Sequence, residues 1–137
     1  MFVTTAAESD IARALGLWPE LAGRRIRPLM VTAFGDIYVE SAEGEVLVAD
    51  PVELKCSHAA EFVTHLEQLF ADRSWAQERL MTELLMLAQE RGVRREQHQV
   101  FAITPHPSFT GALRVENLVA MDLYVWHRIC SQLREPP

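Results

Sequence analysis

The chain has 137 residues, 49% of them apolar, and a formal net charge of -6. This length supports one domain with one core, and the apolar content excludes a disordered chain. The acidic balance disfavours a nucleic-acid-binding protein, which usually carries a basic face. No apolar run approaches the ~20 residues of a membrane-spanning helix, and the first ten residues lack a secretory signal. Cys56 and Cys130 do not make a disulfide framework, so we expect a cytoplasmic protein with free thiols.

The first 28 residues predict a short helix and a connector. Thr5-Ala6-Ala7-Glu8 has the pattern of a capping box, and Gly16 is a suitable helix end. Residues 17–28 contain Pro, Gly and three Arg and are typical of a connecting segment. The next stretch, residues 29–50, alternates β-branched and aromatic residues with turn residues, which predicts strands over 29–34, 37–40 and 45–49.

The remainder of the chain predicts three helices and two strands. Apolar periodicity indicates helices over 58–70, capped by Ser57, over 75–91, capped by Ser74, and over 119–133. Strands are predicted over 98–103 and 112–116, and residues 134–137 form a tail. This order predicts an α+β fold, a single domain whose mainly antiparallel sheet packs with helices.

Acidic residues are concentrated in and beside the predicted hairpin, and no Lys or Arg interrupts residues 28–54. An acidic surface attracts basic proteins electrostatically, although a charge run is also typical of a plain solvated face. The candidate partner-binding residues are Asp36, Glu40, Glu43, Glu45, Asp50 and Glu53. None of the carboxylates has a sequence surround that predicts a raised pKa.

Motifs for catalysis or cofactor binding are weak. The sequence has no GxSxG, GxGxxG or P-loop pattern. Cys56, His58 and His65 lack the spacing of a zinc site, so we predict no metal, no cofactor and no catalytic residue. Two alternatives stay open: a small metal-dependent hydrolase that uses His58, His65 and the acids, and a regulator or scaffold that controls its own operon.

Phe34-Gly35-Asp36 interrupts the first apolar run of the hairpin. A β-bulge is the simplest explanation, because Gly permits a bulge or a close backbone approach and Asp can cap free N–H groups beside it. Thr32 to Asp36, the strand Ile37 to Val39, Gly44 and Asp50 also form a recognisable series. This series resembles the signature of the C-terminal domain of type VI secretion immunity proteins of the Tdi kind.

The resemblance extends over residues 28–133, with the immunity domain placed at 29–133. The closing block is similar to that of the family at Pro105, Gly111, Glu116, Asn117, Asp122 and Gln132. The family's Gly-Gly pair is Thr110-Gly111 here, and a Gly of its preceding strand is Ala102. Larger members carry an N-terminal GAD-like domain, in whose place this chain has a short helix.

The resemblance implies an immunity protein that has no catalysis of its own. Such proteins bind and neutralise a cognate secreted antibacterial effector, which for this family is a Tde-type DNase used in bacterial competition. The expected partner is therefore a basic nuclease domain, with no membrane or nucleic acid bound directly.

Overall fold

The computed structural model describes residues 3–4 and 6–134. The strands are β1 (Val3–Thr4), β2 (Ile26–Thr32), β3 (Ile37–Ser41), β4 (Val46–Asp50), β5 (Lys55–Ala60), β6 (Gln99–Ile103) and β7 (Leu118–Asp122). The helices are α1 (Glu8–Leu15), α2 (Val63–Ala71), α3 (Arg73–Arg79), α4 (Thr82–Glu90), α5 (Pro107–Thr110) and α6 (Leu123–Leu133). Short 3-10 turns cover Pro19–Leu21 and Val115–Asn117.

The strands form two antiparallel sheets. The larger sheet is a meander in the order β1-β2-β3-β4-β5, and β6 and β7 form a separate pair. Side chains of β3 alternate between the two faces, so that Ile37 and Val39 pack toward α1 and α6 while Tyr38 packs toward α2. Because both faces are covered, every residue of β4 is buried. The predicted α+β, single-domain fold with mainly antiparallel strands is confirmed.

The N-terminal segment joins the main core. Ala14, Leu15 and Trp18 pack in the same buried cluster as Trp126 and Cys130. Strand β2 begins at Ile26 and so runs through the predicted boundary between residues 28 and 29. The capping-box prediction involves Thr5, which lies outside the described residues; α1 begins at Glu8 after Ala7 and has no side-chain cap.

Phe34-Gly35-Asp36 belongs to a tight turn in which Gly35 and Asp36 both bond to Thr32, which is the two-against-one pairing of a glycine bulge, so the predicted bulge is confirmed. The turn connects β2 and β3: the Thr32 N–H donates to the Asp36 carbonyl at 2.9 Å, and the Gly35 N–H donates to the Thr32 carbonyl at 3.0 Å. Gly35 has a φ of +92°, and a Cβ built there would lie 2.8 Å from Trp126 Cδ1. Glycine is thus required by both backbone conformation and the close approach of an indole ring.

We expect Gly35→Ala to destabilise the fold more than Gly44→Ala. Both glycines have a φ of +92°, but nothing lies within 4 Å of a Cβ built at Gly44. The shared backbone strain costs roughly 1–2 kcal/mol, and the clash with Trp126 adds roughly 1–3 kcal/mol at Gly35 alone. Urea unfolding of the two variants isolates the clash as the difference between them; equal losses would show that the indole moves aside freely.

Two predicted helices differ from the structure. Residues 55–60 pair with β4 as strand β5, with Ser57 opposite Val48, and α2 begins only at Val63. Sheet pairing outweighs the helical periodicity here, so the Ser57 cap is wrong. The helix predicted over 75–91 divides into α3 and α4 at Met81, whose φ is +52°, and its cap is Asp72 rather than Ser74.

The segment between β6 and α6 also departs from prediction. Residues 107–110, predicted as loop, form helix α5, and the strand predicted over 112–116 lies instead at β7. Phe109, on helix α5, is 71% exposed. The helix predicted over 119–133 begins only at Leu123, because residues 118–122 pair with β6 as strand β7. Its apolar face is confirmed at Leu123, Trp126 and Cys130, all fully buried.

Candidate functional site

The six acidic residues singled out by the sequence separate into two groups at opposite ends of the β3–β4 hairpin. Glu40, Glu43 and Glu45 surround the turn that connects these strands. Asp36, Asp50 and Glu53 lie at the other end, beyond the Ile37–Ala49 pair. The five-residue strand β3 separates the two groups by about 13 Å, at ~3.3 Å per residue. The predicted single acidic surface is therefore wrong.

The turn group is neutralised by arginines from other parts of the chain. Arg27 donates to Glu40 at 2.7 Å, and Arg24 donates to Glu45 at 3.1 Å. Arg24 also lies 3.9 Å from Glu43, and the His58 ring is 3.2 Å from the Glu45 carboxylate. Arg24 and Arg27 precede the acidic run in sequence and His58 follows it. The pairing of β2 with β3 and of β5 with β4 places these basic side chains beside the glutamates. Such exposed pairs cancel most of the local field.

The second group borders a cavity of about 580 Å³ between the hairpin and helix α3, which we call the recess. Its polar lining residues are Asp36, Asp50, Glu53, Glu78 and Arg79. Its apolar lining residues are Val52, Trp75, Met81 and Leu113. Asp36 and Asp50 are only 2% and 3% exposed, so they form its floor rather than a solvated face. That corrects their expected place on the surface.

Asp50 is fixed by hydrogen bonds at both oxygens. Its Oδ1 accepts from the backbone N–H groups of Val52 and Glu53, each at 3.0 Å. Its Oδ2 accepts from both terminal nitrogens of Arg79 at 3.3 Å, and Arg79 Nε donates to the Tyr38 hydroxyl at 2.8 Å. Arg79 reaches the recess only because helix α3 packs on the hairpin.

Asp36 is a buried carboxyl beside this ion pair. Burial, followed by the charge of Asp50, raises the pKa of Asp36 from 3.8 to about 8. The Asp36 backbone N–H donates to Thr32 Oγ1 at 3.1 Å, while Asp36 Oδ1 accepts no hydrogen bond from any described residue. The expectation that no carboxyl has a raised pKa is wrong. The sequence signal is the placement of one Asp between the apolar residues Phe34 and Ile37.

Helix α6 supports the turn that carries Asp36. Trp126 Nε1 donates to the Phe34 carbonyl at 3.2 Å. His127 Nδ1 accepts from Trp18 Nε1 at 3.0 Å, so the ring proton is on Nε2, which donates to the Gly35 carbonyl at 2.6 Å. Burial lowers the pKa of His127 to about 4, which keeps the imidazole neutral. Sequence periodicity identified Trp126 but did not indicate a role for His127.

The rim of the recess is strained and partly apolar. Met81 and Leu54 have φ values of +52° and +58°, and they are the non-glycine residues with positive φ in the part of the chain that the structure describes. Leu54 lines a second groove that shares Val52, Glu53 and Leu113 with the recess. Leu113 is 47% exposed. Strained backbone of this kind collects at binding sites.

The hydrolase alternative requires His58 and His65 at one site, but these two side chains have different hydrogen-bond partners in the structure. His58 lies on strand β5 and contacts Glu45, whereas His65 lies on α2 and accepts from the Glu61 N–H at 3.1 Å. Within residues 3–4 and 6–134, no group of three or more His, Cys, Asp and Glu side chains is arranged to hold a metal ion.

Comparison with known proteins adds no assignment. No protein-family model matches the chain, and no curated protein matches it. The resemblance to immunity proteins therefore depends on the quoted residues alone. No helix in the described part of the chain combines the length and apolar character that a bilayer crossing requires.

Proposed function

We propose that this chain is an immunity protein that acts in the cytoplasm, where it binds and neutralises a secreted antibacterial nuclease effector. The observation that carries the proposal is the position of the signature residues. Thr32 to Asp36 form the turn at the floor of the recess, and Asp50 completes that floor. Two residues of the quoted signature, Asp36 and Asp50, thus supply the acidic floor of the recess.

The chemistry of the recess fits a basic protein partner. Nucleases present basic substrate clefts, and complementary charge accelerates association and excludes wrong partners. Glu53 and Glu78 are exposed at the recess, and no arginine pairs with either of them among the described contacts. Trp75 and Leu113 supply aromatic and apolar area of the kind found at interface centres. We therefore place the docking surface at the recess rather than at the arginine-paired turn.

Charge reversal at the recess should abolish protection, whereas matched reversal elsewhere should not. Glu53→Lys with Glu78→Lys places like charge against a basic toxin, which costs several kcal/mol. The control, Glu43→Lys with Glu90→Lys, changes exposed residues by the same total charge. Cells that coexpress the cognate nuclease effector are scored for plasmid integrity and growth. The recess variant should lose protection while staying soluble, and the control should retain it.

Loss of protection in the control but not in the recess variant would move the interface to the turn. No protection by the unmodified chain against Tde-type nuclease effectors would reject the immunity function itself. Association rates measured with the purified effector should fall with salt, because exposed charges are screened over ~8 Å at physiological ionic strength. A rate independent of salt would reject electrostatic steering.

A second candidate function is acid–base catalysis by the Asp36–Asp50 pair. A buried carboxyl whose pKa is raised, beside a second carboxyl, is typical of acid–base sites. Against this, both oxygens of Asp50 are already bonded, and Asp36 is almost entirely buried. A catalytic role would make Asp36→Asn inactive whatever the concentration of protein, whereas a binding role would allow excess Asp36→Asn protein to restore protection.

A further inference from the structure

We infer that the recess receives one lysine side chain of the partner protein, with its ammonium group directed toward Asp36. The identity of the partner as a toxin rests on the function proposed above, but the cation site itself does not. Three features of the recess support it: its formal charge, the hydrogen bonds already made by its carboxyls, and its apolar walls.

The recess favours a cation. Three carboxylates, those of Asp50, Glu53 and Glu78, face one guanidinium, that of Arg79. Asp50 and Arg79 cancel one another, which leaves the two exposed glutamates uncompensated at the opening. In a confined space with apolar walls this charge acts through less water than it would on an open surface.

The available hydrogen-bond acceptor selects the type of cation. Asp50 is saturated, because Arg79 occupies Oδ2 and two backbone N–H groups occupy Oδ1. Asp36 Oδ1 is the buried oxygen at the recess that accepts no hydrogen bond from the described residues. A guanidinium prefers two acceptors in one plane, whereas an ammonium is a compact charge that a single oxygen can bind. The geometry therefore favours lysine over arginine.

The walls suit the aliphatic part of a lysine side chain. Trp75, Met81, Val52 and Leu113 line the recess above its floor. The Trp75 ring is fixed edge-on against Phe70 at 5.0 Å between centroids, so it presents a stable surface. Four methylene groups can pack along such apolar residues while the charged end reaches the carboxyl.

Binding of an ammonium should be linked to release of a proton. Asp36 holds a proton at neutral pH because of its burial and the charge of Asp50. A cation beside the carboxyl favours its charged form, so affinity should increase as the pH rises toward 8. The charged or titratable groups around Asp36 are Tyr38 on β3, Asp50 on β4, Glu53 after it, Glu78 and Arg79 on α3, and His127 on α6.

The test uses a lysine compound rather than the toxin. Nα-acetyl-lysine N-methylamide is titrated into the 15N-labelled chain while the Trp75 indole and the Glu78 and Arg79 amides are followed by NMR. We expect saturable shifts that strengthen with pH. Asp36→Asn, which should remain folded, should weaken binding roughly tenfold, as expected for one charged hydrogen bond. Glu78→Gln should weaken it too, and Glu43→Gln should not.

Two further compounds decide the chemistry. The derivative acetylated at the ε-nitrogen has the same apolar stem without charge, and equal binding of it would overturn the cation site. Tighter binding of the arginine analogue would overturn the assignment to lysine. If no NMR shifts are seen at any pH, the lysine site is rejected, and the result of the protection assay is independent of this. If the protection assay fails, the lysine site is still supported by the NMR titration.

Discussion

Trp126→Ala should destabilise the chain by about 3–5 kcal/mol, the usual cost of removing a buried tryptophan. Trp126 is fully buried, packs against the Gly35 turn and His106, and donates a hydrogen bond to the Phe34 carbonyl. Truncation leaves a cavity in the main core and an unpaired carbonyl beneath the recess. Thermal melts and urea titrations followed by circular dichroism measure the loss.

The matched control is Val125→Ala, one residue earlier on the same helix. Val125 is 44% exposed, so its truncation should change stability by less than about 0.5 kcal/mol. A melting temperature that falls equally in both variants would mean that α6 is disrupted by any substitution. A Trp126→Ala variant with unchanged stability would show that the indole does not hold the turn.

Asp36→Asn should stabilise the chain, and the gain should increase with pH. The pKa of Asp36 is raised from 3.8 to about 8 by burial and by the charge of Asp50. The stability that its neutral form contributes is fully present below pH 3.8 and is lost as the pH rises through about 8. Asparagine does not ionise, so the variant should be roughly 3–5 kcal/mol more stable than the parent at pH 8 and similar to it near pH 4.

Urea unfolding of the parent and variant at several pH values gives this difference directly. Glu43→Gln serves as the control, because the Glu43 side chain is 77% exposed and its removal should leave the pH dependence unchanged. An Asp36→Asn chain that is less stable than the parent throughout this range would mean that the carboxylate, and not the acid, is the favoured form in the fold.

The parts of the fold that depend on local pattern were predictable. The β3 and β4 strands and the apolar face of α6 follow from periodicity within a few residues. Strand β5 was not predictable, because the apolar residues of this segment and of α2 recur with the period of a helix. The segment is a strand only because it pairs with β4, and local sequence does not show that pairing. The break between helices α3 and α4 at Met81 was not predictable either, because no Gly or Pro marks it in the sequence.

The candidate site was predictable only in part. The sequence identified Asp36, Asp50 and Glu53 as acids, but it could not separate them from Glu40, Glu43 and Glu45. That separation depends on which strand end each residue occupies. Arg79 reaches Asp50 across 29 residues and Tyr38 across 41, so no local pattern indicates the network. The burial of the Asp36 carboxyl likewise depends on tertiary packing and cannot be predicted from neighbouring residues.

The contacts made by α6 have a consequence for protein synthesis. Trp126 and His127 each bind a carbonyl of the Phe34–Gly35 turn that lies 92 residues earlier in the chain. A ribosome must therefore translate α6 and release it from the exit tunnel before the floor of the recess can close. Nascent chains that already carry every acidic residue would still lack a finished binding surface. If the chain is an immunity protein, its protective effect would lag behind its translation by the time that this last helix needs to dock.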